Sequence, residues 1–352
     1  MNSKTILKDR LDRDAIVCAE GYLFELERRG YLQAGVFVPE VVLEHPEAVI
    51  QLHREFLRAG SDVMVAFTYY AHREKMRLIG KEDLLEDLQK SALRLAHQVA
   101  GEARDNAVLV AGNICNTNIY DEKDAATHLE VRKMFEEQVV WAAEAKVDFI
   151  IAETIAHHGE AKLALQAILD VGLEAVVNLV GHREGKLRDG YPLVDSCLEL
   201  EQMGATVVGM NCNRGPTTMM PLVKEIRRAV DCHVAAVPIP YRTTHSHPTF
   251  QSLEDSDCNC IPGNRPFPVA LDPFTCNRYE MALFASQAYE AGIRFIGACC
   301  GAGPHHIRSI SEALLRTPEA SKYSPDMSKH YALGNDPKLK NINQEYAKQH
   351  KL

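Results

Sequence analysis

Short runs of apolar, often β-branched residues recur along the whole chain. Between them lie longer stretches with apolar residues three and four positions apart, which is the pattern of an amphipathic helix. A strand of a parallel sheet is covered on both faces, so its sequence is apolar almost throughout, and the short runs match this pattern. Eight strands are predicted, at residues 15–19, 62–67, 107–112, 147–152, 174–180, 205–211, 233–238 and 294–298.

Helices are predicted between these strands, for example at residues 46–59, 84–103, 130–145, 160–168, 221–230 and 279–291. Eight alternating strand and helix units close into a (β/α)8 TIM barrel, which is the fold that we predict. An open, doubly wound sheet is the alternative, but no glycine-rich nucleotide-binding motif opens any predicted helix.

Two segments break the alternation of strands and helices. Residues 239–273 are rich in prolines and polar residues, and we expect a long loop beside a substrate pocket. The Lys-, Asn- and Ser-rich residues after position 317 are expected to extend beyond the barrel. We therefore assign residues 1–317 to the barrel and residues 318–352 to a C-terminal extension, with an oligomerisation arm as its expected role in a homo-oligomer.

Composition narrows the function. Hydrophobic residues make up 46% of the 352 residues and charged residues 25%, as in an ordinary globular enzyme. The net charge of -9 comes without a basic block, which argues against nucleic acid or an anionic membrane as partner and favours a small molecule. Residues 1–4 lead into charged sequence rather than an apolar signal segment, so we expect a cytoplasmic protein. Its ten cysteines are then expected to be reduced thiols or metal ligands.

Three cysteines stand at the carboxyl ends of predicted strands. Cys212 follows the sixth strand, and Cys299 and Cys300 follow the eighth. In a closed barrel these strands are next-but-one neighbours, so the three thiols can converge. Three thiolates with one open position form a ligand set for catalytic zinc, although buried core thiols are the alternative interpretation. Cys258 and Cys260 have no further ligands nearby in sequence and are not assigned to a metal.

Other strand ends carry polar and aromatic residues. Glu20, Glu153 and Asn211 follow or close the first, fourth and sixth strands. A carboxylate there could hold an amino-acid ammonium group, with a solvated or capping side chain as the alternative for each. Tyr70 and Phe37 belong to a set of aromatic residues after the first two strands, and aromatic faces attract onium groups. Packing is the alternative for each aromatic residue taken singly.

These motifs resemble the homocysteine S-methyltransferase family. The resemblance spans about residues 5–330 and is strongest to the family's betaine–homocysteine branch. It rests on the segments Gly-Met-Asn-Cys, Gly-Ala-Cys-Cys-Gly, Ile-Ala-Glu-Thr, Glu-His-Pro-Glu-Ala-Val, Gln-Leu-His-Arg-Glu-Phe-Leu-Arg-Ala-Gly and Pro-His-His-Ile-Arg. The family is a zinc-containing (β/α)8 barrel, which agrees with the strand pattern.

The resemblance implies specific roles. Cys212, Cys299 and Cys300 would bind Zn²⁺, and the homocysteine sulfur would take the fourth position. Glu153 would bind the homocysteine amino group, and Tyr70 would lie at the donor site. Methyl transfer from a betaine-type donor to homocysteine would then give methionine.

The sequence departs from the family pattern around the substrates. The family's Asp-Gly-Gly after the first strand is Ala19-Glu20-Gly21 here, so the substrate contacts expected of this turn fall on Glu20 and Gly21. A donor-site tryptophan falls on Phe37, a threonine falls on Ala66, and Thr154 stands where the betaine branch has tyrosine. The zinc chemistry is expected to be intact while the donor stays open.

Three alternatives to a betaine-dependent enzyme follow. A sulfonium donor such as S-methylmethionine would support the same chemistry, and a zinc-stabilised barrel could bind an onium compound without turnover. A zinc hydrolase is disfavoured, because three thiolates make zinc electron-rich and no His-rich ligand set accompanies them.

Overall fold

The computed structural model describes residues 6–103, 108–181 and 185–349. The start of the chain at residues 1–4 and the predicted start of the third strand at Ala107 lie outside the described residues. The described chain contains eight parallel strands, each hydrogen-bonded to the next, with β8 closing on β1. The predicted (β/α)8 barrel is therefore confirmed, and the open-sheet alternative is wrong. The strands are β1 Ile16–Ala19, β2 Val63–Val65, β3 Leu109–Cys115, β4 Phe149–Ile155, β5 Glu174–Leu179, β6 Val207–Asn211, β7 His233–Val237 and β8 Phe295–Ala298.

Helices cover the outside of the barrel and flank its ends. The described α-helices are α1 Ile6–Leu11, α2 Tyr22–Arg28, α3 Val41–Glu44, α4 Pro46–Ala59, α5 Arg73–Leu78, α6 Leu85–Ala100, α7 Ala125–Glu144, α8 His158–Asp170, α9 Leu193–Gln202, α10 Pro216–Ala229, α11 Arg278–Glu290, α12 Pro304–Ala313 and α13 Asn341–Gln349. Short 3₁₀ turns lie at Glu82–Leu84, Phe250–Ser252, Pro262–Asn264, Asp272–Phe274, Glu319–Tyr323 and Met327–Lys329. Within the described residues, no helix is both long and apolar enough to cross a membrane.

Strands β3 and β4 run three residues further than predicted, to Cys115 and Ile155. The predicted ends lay where each apolar run meets a polar residue, at Asn113 and at Glu153. Backbone pairing continues past both residues, because Asn113 Nδ2 donates a 2.6 Å hydrogen bond to Glu153 Oε1 inside the barrel. Two polar groups that satisfy each other can lie in a buried strand.

Helix α10 begins five residues earlier than predicted. Pro216 occupies its first turn, where the missing N–H is tolerated, and Gly215 precedes it in an extended conformation. The prediction placed the helix start at Pro221, which instead lies inside the helix. The long loop at 239–273 is confirmed, with three short 3₁₀ turns as its only described helical structure.

Cys258 and Cys260 form a disulfide in this loop. The expectation that every cysteine is a reduced thiol or a metal ligand is therefore wrong for this pair. Their Cα atoms lie 5.4 Å apart, a separation that a disulfide spans without backbone movement. The expectation of reduced thiols came only from the predicted cytoplasmic location. That location says nothing about the distance between two cysteines in a turn.

Candidate metal and substrate site

Three thiols converge at the carboxyl end of the barrel. Cys212 follows β6, and Cys299 and Cys300 follow β8. All three sulfur atoms lie within 4.8 Å of one another, and the three residues are buried. Strand β7 between them fixes this arrangement, because the Cys212 N–H donates to Val237 O at 3.0 Å and the Cys299 N–H donates to Pro238 O at 2.9 Å. These three residues could hold a metal ion.

The turn after the paired cysteines is braced from the side. Gly301 has a φ of +90°, and a Cβ added there would lie 2.1 Å from the Tyr241 hydroxyl oxygen. Arg28 donates hydrogen bonds to that hydroxyl and to the Gly301 carbonyl oxygen. Only glycine fits this left-handed position against the ring, so Tyr241 and Arg28 restrict the backbone of the turn that follows Cys300.

Hydrogen bonds couple the three thiols electrostatically. Those from Cys299 and Cys300 lower the pKa of Cys212 well below its usual value. Burial raises the pKa of Cys299, and the hydrogen bond to Cys212 raises that of Cys300. Among the three thiols, these hydrogen bonds thus favour the thiolate form of Cys212. A divalent cation would stabilise all three thiolates, and a soft, three-sulfur donor set of this kind fits Zn²⁺.

Two buried carboxyl groups lie beside the thiols. Oxygen atoms of Glu20 and Glu153 lie within 4.8 Å of each other and of the Cys299 sulfur. Asn211 Nδ2 donates to Glu153 Oε2 at 2.9 Å and to Glu20 Oε2 at 3.2 Å. Burial raises the pKa of Glu153 to about 8, and burial and the nearby Glu153 raise the pKa of Glu20. This pair could hold a cation, because a bound positive charge would stabilise both ionised carboxylates.

Two cavities meet at Cys300. A small one, of about 20 Å³, is lined by Glu20, Glu153 and Cys300 together with Ala66 and Tyr69. A larger one, of about 170 Å³, shares Leu23, Tyr69 and Cys300 with the small one. Six aromatic side chains line the larger cavity: Phe24, Phe37, Tyr69, Tyr70, Phe250 and Phe267.

The backbone around the larger cavity is conformationally unusual. Nine non-glycine residues have φ between 55° and 67° among the described residues. Six of the nine line the larger cavity, namely Phe37, Tyr70, Asn118, Thr154, Cys212 and Asn213. Left-handed backbone costs free energy for such residues and is concentrated at functional sites, so this clustering makes the cavity a candidate functional site.

Comparison with known proteins identifies the family. The sequence profile of the homocysteine S-methyltransferase family matches residues 18–314. The chain belongs to the homocysteine S-methyltransferase family. Membership makes the protein a methyltransferase.

Curated relatives of this homocysteine S-methyltransferase family member use different donors. Betaine–homocysteine S-methyltransferase 1 of Pongo abelii is 35% identical over 348 residues, which cover 95% of this chain and 80% of the relative. S-methylmethionine–homocysteine S-methyltransferase BHMT2 of the same organism is 36% identical over 341 residues, covering 95% of this chain and 87% of the relative. Overall identity therefore does not distinguish a betaine donor from a sulfonium donor.

A solved structure shares the barrel of this homocysteine S-methyltransferase. The metallated form of the homocysteine methyltransferase MmuM from Escherichia coli superposes with a TM-score of 0.67 at 19% identity. The superposition covers 86% of this chain and 98% of that one. This likeness supports the fold.

The structure brings most of the predicted site residues of this homocysteine S-methyltransferase together. The three cysteines, Glu20, Glu153 and Asn211 form one buried cluster, while Phe37, Tyr70 and Thr154 line the larger cavity. Gly21, by contrast, packs against the backbone, since a Cβ there would lie 2.0 Å from the Ala302 carbonyl oxygen. It is a close-packing position between the first and eighth strand ends, and neither cavity is lined by it.

Sequence reasoning missed several residues of the site. Asn113 was overlooked because the third strand was predicted to end at Gly112, although a polar residue after an apolar run was a usable signal. Phe250 and Phe267 come from the long loop and pack on each other with ring centroids 4.7 Å apart. Nothing in the spacing of that loop indicated which of its residues face the cavity.

Proposed function

We propose that the protein transfers a methyl group from a betaine-type onium donor to homocysteine and so produces methionine. The observation that carries this proposal is the position of Cys300, which lines both the small acidic cavity and the larger aromatic cavity. An acceptor with its ammonium group in the small cavity and a donor bound in the larger one would thus meet at the thiol cluster.

The acidic cavity suits the acceptor. Glu153 and Glu20 present carboxylate oxygens to the homocysteine ammonium group, and Asn211 and Asn113 hold the Glu153 carboxylate from two sides. Both carboxylates are buried and have no ion-pair partner among the described residues. A cationic group of the substrate would offset the desolvation cost of these charges.

Cys212, Cys299 and Cys300 would hold Zn²⁺, which when bound lowers the pKa of an incoming thiol so that it is a thiolate at neutral pH. The thiol proton leaves to solvent. A new sulfur–carbon bond forms to the donor methyl group while the bond from that carbon to the onium atom breaks. The onium atom takes the electron pair, so a betaine leaves as a neutral tertiary amine.

The aromatic cavity suits the donor. Tyr70 and Tyr69 pack with ring centroids 4.3 Å apart, and Phe24 and Phe37 pack at 6.0 Å. Their faces attract an onium group, and the rings exclude water from the reacting atoms. The protein's own contribution is to align the donor methyl group with the acceptor sulfur. The methyl transfer itself requires no proton transfer at the methyl carbon.

A panel of donors tests the proposal. Zinc-loaded protein is incubated with homocysteine and with glycine betaine, dimethylsulfoniopropionate or S-methylmethionine, and methionine and demethylated donor are measured by mass spectrometry. Stoichiometric methionine and demethylated product from a betaine-type donor are expected. Methionine from S-methylmethionine alone would support the second candidate, an enzyme specific for this sulfonium amino acid, which the 36% identical relative favours. No methionine from any donor would contradict both, and binding without turnover would indicate a non-catalytic barrel.

We also propose that residues 1–317 form the catalytic barrel and that residues 318–352 form an oligomerisation arm. Large hydrophobic side chains of the extension are exposed: Tyr323, Met327, Tyr331, Leu333, Ile342 and Tyr346. Six exposed hydrophobic side chains within one segment support contact with a second copy of the chain. Light scattering of the full chain at micromolar concentration is expected to give a multiple of the 39.3 kDa mass, and a monomer would contradict the proposal.

A further inference from the structure

Among the described residues that line the larger cavity, Arg188 is the only aspartate, glutamate, lysine or arginine. It lies after β5 on a segment held against the end of β4, because its backbone N–H donates to Ala156 O at 2.8 Å. Ala156 and Thr154 line the same cavity. The guanidinium group is therefore carried by a segment anchored to the barrel.

The Arg188 side chain has no hydrogen-bond or ion-pair partner within residues 6–103, 108–181 and 185–349. The adjacent carboxylate of Asp189 is engaged elsewhere, since it accepts from the His158 N–H at 2.6 Å and from the Tyr191 N–H at 3.3 Å. An exposed arginine without a partner is ordinary on a protein surface. At the mouth of an aromatic cavity that reaches Cys300, it is instead an available anion-binding group.

The same cavity contains no acidic side chain within the described residues. A primary ammonium group on the donor would have no carboxylate counter-ion there. Away from the thiols, the polar side chains that line the cavity besides Arg188 are neutral hydroxyl and amide groups: Tyr69, Tyr70, Asn116, Asn118, Thr154, Asn213 and Gln251. The acidic groups Glu20 and Glu153 line the small cavity on the other side of Cys300. The two cavities thus differ in charge, and only the small one suits an amino-acid ammonium.

We propose that Arg188 binds the carboxylate of the methyl donor, and that the donor is an onium carboxylate without a primary ammonium group. This inference rests on the proposed function for the assignment of the larger cavity to the donor. The methylated onium group would lie among the aromatic rings near the thiols, and the carboxylate would extend outward to the guanidinium. Glycine betaine and dimethylsulfoniopropionate belong to this class, whereas S-methylmethionine carries an ammonium group and does not.

Calorimetric titration of the zinc-loaded protein tests the inference without relying on turnover. The probes are glycine betaine, dimethylsulfoniopropionate and choline, which has the trimethylammonium group but no carboxylate. The variants are Arg188→Ala and Arg188→Lys. The control is Lys186→Ala, which removes a cation two residues away that does not line the larger cavity.

Wild type is expected to bind at least one of the two onium carboxylates more tightly than choline. Arg188→Ala is expected to weaken carboxylate binding about tenfold to hundredfold, the usual value of a charge-assisted hydrogen bond, while choline binding stays unchanged. Arg188→Lys should recover part of the loss, and Lys186→Ala should match wild type. Homocysteine affinity should be equal in all four proteins.

An onium carboxylate affinity that Arg188→Ala leaves unchanged would overturn the inference, as would equal loss for choline or absence of saturable binding of both carboxylates to wild type. Tighter binding of S-methylmethionine than of both carboxylates would overturn the donor class. Methionine formation is measured separately, so Arg188-dependent binding without methyl transfer would contradict the proposed function while still assigning Arg188 to binding of an onium carboxylate.

Discussion

The side-chain amide of Asn211 donates a 2.9 Å hydrogen bond to Glu153, and the next residue along the chain is Cys212. The same amide nitrogen lies 3.2 Å from Glu20 Oε2 and 3.7 Å from the Cys299 sulfur. One buried residue at the end of β6 therefore joins the carboxyl pair to the thiol cluster. The distance between the acceptor's ammonium and its sulfur would be set by this junction.

Replacement of the Glu153 carboxylate tests the acceptor site. Wild type should have a higher kcat/KM for homocysteine than for 4-mercaptobutyrate, which lacks the amino group. The analogue would leave the buried carboxylate without a partner, and this weakens its binding. Glu153→Gln should reduce this preference about tenfold to hundredfold in kcat/KM, since the charge-assisted contact is lost. Steady-state kinetics with both acceptors measures the ratio, which a general loss of activity would not change. An unaltered preference in a zinc-loaded variant would remove Glu153 from the acceptor site.

Removal of one thiol tests the metal centre. Cys300→Ala should abolish zinc retention and methyl transfer while the barrel still folds, because two sulfur ligands hold zinc too weakly. Metal content by plasma emission and far-UV circular dichroism measure the two effects. Cys258→Ala serves as the control, since Cys258 lies in the long loop and lines neither cavity, and it should keep zinc and activity. Equal loss in both variants would show that the metal lies elsewhere.

The close contact between Gly301 and Tyr241 leads to a prediction about stability. Gly301→Ala places a methyl group 2.1 Å from the Tyr241 hydroxyl oxygen at a φ of +90°. Gly172→Ala is the matched control, with a φ of +75° and no atom within 4 Å of the added Cβ. The free energy of unfolding should fall about 1–3 kcal/mol further for Gly301→Ala than for the control, by urea titration. Equal losses would mean that Tyr241 does not restrict the turn.

Three buried histidines give the fold a pH dependence. Burial lowers the pKa of His53 to about 3 and the pKa values of His72 and His306 to about 4, below the value of 6.5 for an unperturbed histidine. At these positions the unfolded chain therefore binds more protons than the folded protein as pH falls below 6.5. The histidine contribution to stability is greatest above that pH and is lost progressively down to about pH 3, by about 2 kcal/mol per histidine at pH 5. The raised pKa values of Glu20 and Glu153 act in the opposite direction, since these carboxyl groups stabilise the folded state less as pH rises.

The variant His53→Gln isolates one of these contributions. Its free energy of unfolding should fall about 2 kcal/mol less than that of wild type between pH 7 and pH 5, because glutamine does not titrate. Urea titrations at both pH values measure the difference, and the exposed His45→Gln variant should behave as wild type does. An equal pH dependence of His53→Gln and wild type would exclude His53 as a source.

Local sequence patterns predicted the barrel well, because the apolar character of a buried parallel strand is visible in a few consecutive residues. Every predicted strand is present, since a parallel strand covered on both faces must be apolar almost throughout. The convergence of Cys212 with Cys299 and Cys300 followed from strand order alone, because strand ends meet at one edge of a barrel. Glu20 joins the cluster although its position in the turn differs from the family pattern.

Properties that depend on loops and on pairwise distances were not predictable in this way. Phe250 and Phe267 reach the cavity from the 239–273 segment, whose path is set by tertiary packing rather than by a repeating pattern. Arg188 has neighbours of both charges in sequence, so its lack of a partner becomes visible only in three dimensions. The role of Gly21 depends likewise on its distance from Ala302.

X-ray absorption at the zinc edge tests the central claim most directly. Zinc-loaded wild type should show three sulfur ligands and one lighter ligand, with zinc–sulfur distances of about 2.3 Å. Addition of homocysteine should raise the sulfur count to four. A zinc spectrum without the three-sulfur set, or one in which homocysteine adds no sulfur, would contradict the account.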